Sequence, residues 1–163
     1  MLSAGDGILS GMPITFRLPP RIVKLDDAAF ARLLAHRQIA TDATEAGGVL
    51  LGRRLAGGHV VVDEVTEPIA TDVRTRYTFH RSAEHQAAID DAHERSAGTC
   101  SYLGEWHTHA EPDPRPSAVD IEDWQRRARE DTYDAEELLF VIVGQEHVRA
   151  WGCDRTGLVT PLG

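Results

Sequence analysis

Cysteine is scarce in this chain, with two residues, Cys100 and Cys153, among 163. Both sit in apolar, strand-like surroundings. They read as buried free thiols in a reducing cytoplasm, and a disulfide is the alternative. No apolar run reaches the length of a membrane-spanning helix, so no membrane association is expected. The stretch from Met1 to Pro13 has neither a basic start nor a long apolar core, which argues against a signal peptide. Residues 1–13 read instead as a flexible N-terminal tail ahead of a single domain over residues 14–163. Positive charge is also short: 17 Lys and Arg stand against 26 Asp and Glu, a net charge of −9. A chain of that balance is poorly suited to gripping phosphate backbones, so no nucleic-acid partner is expected. The one basic cluster, Arg126, Arg127 and Arg129, reads as a solvated helix face. There is no internal repeat, no low-complexity linker and no His-Glu-x-x-His helix, which argues against the commonest class of zinc peptidase.

What the chain does contain is ordinary globular material: 42% hydrophobic and 26% charged residues, long enough for one domain with a real core. Short alternating segments at Ile14–Leu18 and Arg21–Leu25 read as strands. A helix follows from Asp26 or Asp27 to about Ile39, with Ala28, Phe30, Leu33 and Leu34 at helical spacing. Glu45 opens an apolar strand that turns at Ala56-Gly57-Gly58 and returns over residues 59–66. Residues 67–78 are polar, either a loop over a site that reads substrate or a plain surface crossover. A second helix is expected from about Ser82 to Ser96, with His85 and His93 on its solvent side. Strands over residues 99–109, 136–144, 147–153 and 157–160, and a helix from Ser117 to about Arg129, complete an α/β (α+β) order. The expected fold is a curved, mostly antiparallel sheet flanked by helices.

The chemistry concentrates in residues 104–120. His107 and His109 lie two apart on a strand and so share a face. Seven loop residues lead to Ser117, and Asp120 follows one helical turn later. Two imidazoles and a carboxylate are the ligand set of a catalytic zinc whose fourth position stays open. Taken singly, the histidines read as surface residues of a strand and Ser117 as a plain helix N-cap. Their joint occurrence favours the metal reading. Trp124, four residues after Asp120, reads as core packing beneath the site.

His107-x-His109, seven residues, Ser117-x-x-Asp120 resembles the signature of the JAMM (JAB/MPN) metalloproteases. The stretch Glu45-Ala-Gly-Gly-Val-Leu-Leu-Gly52 matches that family's upstream Glu-x-Gly-Gly context. The extended form from Tyr102 to Trp124 resembles the bacterial stand-alone branch found in ubiquitin-like-conjugation and antiphage (CBASS) operons. One departure is Ala110, where family members often carry Pro, and Pro112, Pro114 and Pro116 are expected to stiffen the loop instead. The resemblance implies the MPN/JAB fold, one catalytic Zn²⁺ held by His107, His109 and Asp120, Glu45 as general base and then general acid, and Ser117 as an oxyanion donor. It implies hydrolysis of the amide after the C-terminal tail of a ubiquitin-like protein or a conjugated nucleotidyltransferase. Partners would be that conjugated protein and E1- and E2-like conjugating enzymes of the same system. Two alternatives stay open: processing of sulfur-carrier proteins, and a non-catalytic MPN scaffold.

Overall fold

The computed structural model describes residues 14–18 and 21–163; the expected tail over residues 1–13 lies outside them. Ten strands occur among the described residues. They are β1 (Thr15–Leu18), β2 (Arg21–Leu25), β3 (Gly47–Arg54), β4 (Val60–Val65), β5 (Val73–Arg74), β6 (Phe79–His80), β7 (Ser101–Thr108), β8 (Glu137–Val143), β9 (Val148–Asp154) and β10 (Val159–Leu162). Three α-helices accompany them: α1 (Asp27–Ala35), α2 (His85–Arg95) and α3 (Ala118–Glu130).

Eight strands form one sheet in the order β1-β2-β4-β3-β7-β8-β9-β10. Only β2 with β4 and β7 with β8 run parallel; the other pairs are antiparallel. The sheet therefore matches the expected curved, mostly antiparallel architecture. Its curl is strong enough to bring its ends together: the Arg17 N–H donates to the Gly163 carbonyl and the Gly163 N–H to the Arg17 carbonyl, both at 3.0 Å.

Two apolar layers cover the sheet. The inner layer packs Ala29, Phe30 and Leu33 of α1 with Val23, Leu25, Leu50, Leu103, Trp106 and Val141. The outer layer packs Ala92 of α2 and Trp124 and Ala128 of α3 with Val49, Leu51, Tyr102, Phe140 and Ile142. A single bulge decides which residues of β7 face which layer. Leu50 pairs with Gly104 and Leu51 with Tyr102, so Leu103 is an extra residue in β7. Strict alternation would put residues 103, 105 and 107 on one face. The extra residue inverts the parity beyond it, so Leu103 and Trp106 both point inward while His107 stands near Trp124 on the outer side.

Several element limits differ from the sequence reading. Helix α1 stops at Ala35 rather than near Ile39, because Gln38 is buried and makes tertiary hydrogen bonds. Residues 67–78 are not a plain crossover: they carry β5, which pairs with β6 as a small hairpin. His85 is not on the solvent side of α2. It is buried, with Nε2 at 2.9 Å from Asp72 and Nδ1 at 2.7 Å from the Thr66 hydroxyl. Polar partners at both ring nitrogens make its burial tolerable. Arg127 leaves the solvated face expected for it, its Nε lying 2.6 Å from Glu105 Oε1. Among the described residues no helix is long and apolar enough to cross a membrane.

Both cysteines are free and buried. Burial pushes the Cys153 thiol up to about 11 and raises that of Cys100 as well. Since the thiolate is the reactive form, neither thiol of the native protein is expected to react within minutes with a colorimetric disulfide reagent at about pH 8. Both should titrate once guanidinium unfolds the chain; rapid labelling of the native protein would contradict the packing described.

Candidate metal centre

The site forms where β3 begins and β7 ends. These strands pair antiparallel with Gly47 opposite His107, so Glu45, two residues before Gly47, emerges beside the histidines. His109 lies just past β7 and continues its ladder, its N–H donating to the Val143 carbonyl at 3.0 Å. A side chain at residue 47 would not fit. A Cβ there would stand 2.4 Å from the Phe79 ring, and one at Gly48 would stand 2.2 Å from the Thr66 carbonyl oxygen. The glycine pair thus admits β6 on one face of β3 and the end of β4 on the other.

Helix α3 brings the carboxylate. Ser117 is its N-cap: the Ser117 hydroxyl accepts from the Asp120 N–H, and Asp120 Oδ2 accepts from the Ser117 N–H, a reciprocal capping box. Trp124, one turn on, is buried, stacks on Phe140 at 4.8 Å between ring centroids and meets His107 edge-on at 6.4 Å. That packing sets the height of α3 above the sheet.

His107, His109 and Asp120 converge. The two Nε2 atoms are 3.0 Å apart. Asp120 reaches His107 Nε2 with one oxygen at 3.3 Å and His109 Nε2 with the other at 3.0 Å. Donors about 2.0 Å from a tetrahedral zinc would be separated by about 3.3 Å. The donor types and their spacing therefore fit a divalent metal with one side left open. Glu45 Oε1 lies 3.9 Å from His109 Nε2, beyond hydrogen-bond reach and near enough to share a water.

The protein's own charges are tuned sharply here. Burial pushes the Glu45 carboxyl up to about 7, against the opposing pull of His107 and His109. Burial would also raise Asp120, but hydrogen bonds from the two histidines overcome it and hold the carboxyl well below the usual range. Burial lowers His109, and hydrogen bonds to Asp120 and Glu111 outweigh it, lifting the imidazole to about 9.

Sequence reasoning missed Glu111. Its Oε1 lies 2.9 Å from His109 Nδ1 and also accepts the Arg115 N–H at 2.8 Å. A proton held at Nδ1 leaves Nε2 facing the cluster, the usual second partner of a metal-binding histidine. Its place two residues after His109 was the available signal. The loop over residues 110–116 is pinned differently from expectation. The N–H groups of Gln145, Glu146 and His147 donate to the carbonyls of Glu111 and Pro112, so the β8–β9 turn holds the loop in addition to its prolines.

Residues 27–154 match the family model described as prokaryotic homologs of the JAB domain. This chain belongs to that family. A JAB relative from Vibrio cholerae, named CD-NTase/cGAS isopeptidase, is 45% identical over 116 residues, covering 71% of each chain. A relative of the same name from Escherichia coli is 38% identical over 118 residues, covering 72% of each. A solution structure of a Desulfitobacterium hafniense protein superposes with a TM-score of 0.61 at 24% identity, covering 85% of this chain and 88% of that one. That likeness speaks for the JAB fold alone.

Added zinc is expected to raise the thermal midpoint of this JAB chain, and His109→Ala or Asp120→Ala to abolish the rise. Glu111→Ala should keep the fold but need 10–100-fold more zinc for the same shift, the usual cost of losing a histidine's outer partner. Chelator competition followed by calorimetry measures both.

Proposed function

We propose that this chain is a zinc-dependent isopeptidase that removes a conjugated CD-NTase from its target by hydrolysing the amide after the CD-NTase's C-terminal tail. The observation that carries the reading is the Glu45 carboxylate 3.9 Å from His109 Nε2, beside the convergent His107, His109 and Asp120 donors. The names of the bacterial relatives support the substrate class and favour a nucleotidyltransferase over a free ubiquitin-like protein. A complete donor set argues against a scaffold role. The setting that suits this reading is a cytoplasmic antiphage system, with conjugating enzymes as further partners.

In this reading His107, His109 and Asp120 hold the Zn²⁺, which when bound supplies Lewis acidity and brings the pKa of a water toward about 7. Glu45 takes the proton of the attacking water and delivers it to the leaving amine. Burial raises the Glu45 carboxyl in the metal-free chain, and a bound dication would draw it back toward the charged form that accepts a proton. The Ser117 hydroxyl oxygen is engaged by the Asp120 N–H, so its own proton is free to donate to the oxyanion. Hydrolysis proceeds by direct attack of water, with no acyl-enzyme.

The test uses a peptide bearing the CD-NTase C-terminal sequence joined to the ε-amine of a reporter lysine. Glu45→Ala is expected to abolish cleavage while zinc content stays at one per chain, about as in the wild type. Ser117→Ala should lower kcat by about 10²–10³. Turnover surviving in Glu45→Ala would overturn the assignment of the base, and a zinc-loaded wild type that never cleaves the linkage would overturn the substrate class.

A further inference from the structure

Gln38 lies in the turn after α1, far in sequence from the metal cluster, and is completely buried. Its Oε1 accepts from the Thr108 hydroxyl at 2.8 Å. Its Nε2 donates to the carbonyls of Ala43 at 3.1 Å and Arg76 at 3.2 Å. Thr108 stands between the two histidines of the cluster, and its Oγ1 accepts the Ala46 N–H at 2.9 Å. A backbone N–H can only donate and a hydroxyl carries one proton. The carbonyls of Ala43 and Arg76 can only accept, so they fix the amide with its nitrogen toward them and its oxygen toward Thr108, whose proton points at Gln38. One side chain thus joins three segments: the strand bearing the histidines, the residues leading into Glu45, and the β5–β6 turn.

Glu45 itself is gripped by that turn. Its N–H donates to the Thr75 carbonyl at 2.7 Å, and Arg74 Nε donates to the Glu45 carbonyl at 2.7 Å. The Gln38 carbonyl accepts from Gln145 Nε2 at 2.9 Å, which ties the junction to the β8–β9 turn as well. A leucine would fill the Gln38 space more cheaply, because burying an amide is unfavourable unless every bond is made. Here every bond is made, and each leads to a segment that borders Glu45.

We infer that Gln38, together with Arg74, is a positioning residue that fixes the Glu45 backbone relative to the histidine strand, and so aims the carboxylate. The inference rests on the reading of Glu45 as general base. Neither residue is among the His107–His109–Asp120 donors, so metal uptake is independent of them. A displacement of about 1 Å at a reacting group can cost about 10²-fold in rate.

The experiment measures kcat, KM, zinc content and thermal midpoint for Gln38→Met, Arg74→Ala and Glu45→Ala, well below the melting range, on the same lysine-linked reporter peptide. Gln38→Met and Arg74→Ala are expected to lower kcat by about 10–10²-fold with KM and zinc content unchanged. A purely structural role would lower the midpoint of Gln38→Met and leave kcat per folded, zinc-loaded molecule at the wild-type value; that result overturns the inference. Arg74 is exposed, so if Gln38→Met does not fold, Arg74→Ala decides the question alone. An inactive Glu45→Ala beside variants of full kcat removes only this inference. An active Glu45→Ala removes the general-base reading, and the inference with it.

Discussion

The site depends on the pairing of β3 with β7. Main-chain hydrogen bonds hold two strands about 4.8 Å apart, and the register places Gly47 opposite His107. That ladder brings a carboxylate from the chain's first half to two imidazoles near residue 108. It can do so only because residues 47 and 48 carry no side chain, leaving space for Phe79 and the Thr66 carbonyl. The remaining contributions are anchored to this ladder. The β5–β6 turn clasps Glu45, Thr108 ties the two strands again through a hydroxyl, and the parallel neighbour β8 supports His109 from the far side.

Helix α3 must then be held over the ladder, because it alone supplies Asp120. Trp124 packs on Phe140 and Trp151, and Ala128 joins the same apolar layer. A set of charges sets the orientation. Glu105 on β7 lies between Arg127 of α3 and Arg81, which precedes α2. Asp131 at the end of α3 meets Arg81 at 3.3 Å and accepts from the Tyr102 hydroxyl at 2.7 Å. Taking charges out of water is costly and is offset only when each meets its partner. Such a cluster is therefore a poor source of stability and a strong constraint on geometry: sliding α3 would separate several charges at once. The same logic governs His85, whose two nitrogens are matched by Asp72 and Thr66 at the root of the segment that clasps Glu45.

Much of this was legible in the residues. The strand and helix periodicities located every element but the β5–β6 hairpin to within a few positions, and the two-residue spacing of His107 and His109, with Ser117 and Asp120 beyond, already marked a metal-binding pattern. Local patterns are legible because their cause is local: alternation along a strand, a capping box within one turn, a carboxylate one helical turn past a serine. Gln38, Glu111, His85 and Arg127 escaped or were misread for the opposite reason. Each is a polar residue of a type usually found at the surface, and what makes its position possible is a partner that lies elsewhere in the fold or, for Glu111, across a loop bend.

The sequence by itself determined which groups are candidates for the metal and the base and where each sits along the chain, since residue type and short spacing need no fold to be read. The tertiary structure decided which face those groups occupy. By strict alternation from Tyr102, His107 would share a face with Leu103 and point into the inner layer. The extra residue at Leu103 reverses the parity, because the period of a strand is two and one unpaired residue exchanges every side chain beyond it. Only through that reversal do the histidines meet Asp120 of α3 and stand beside Glu45.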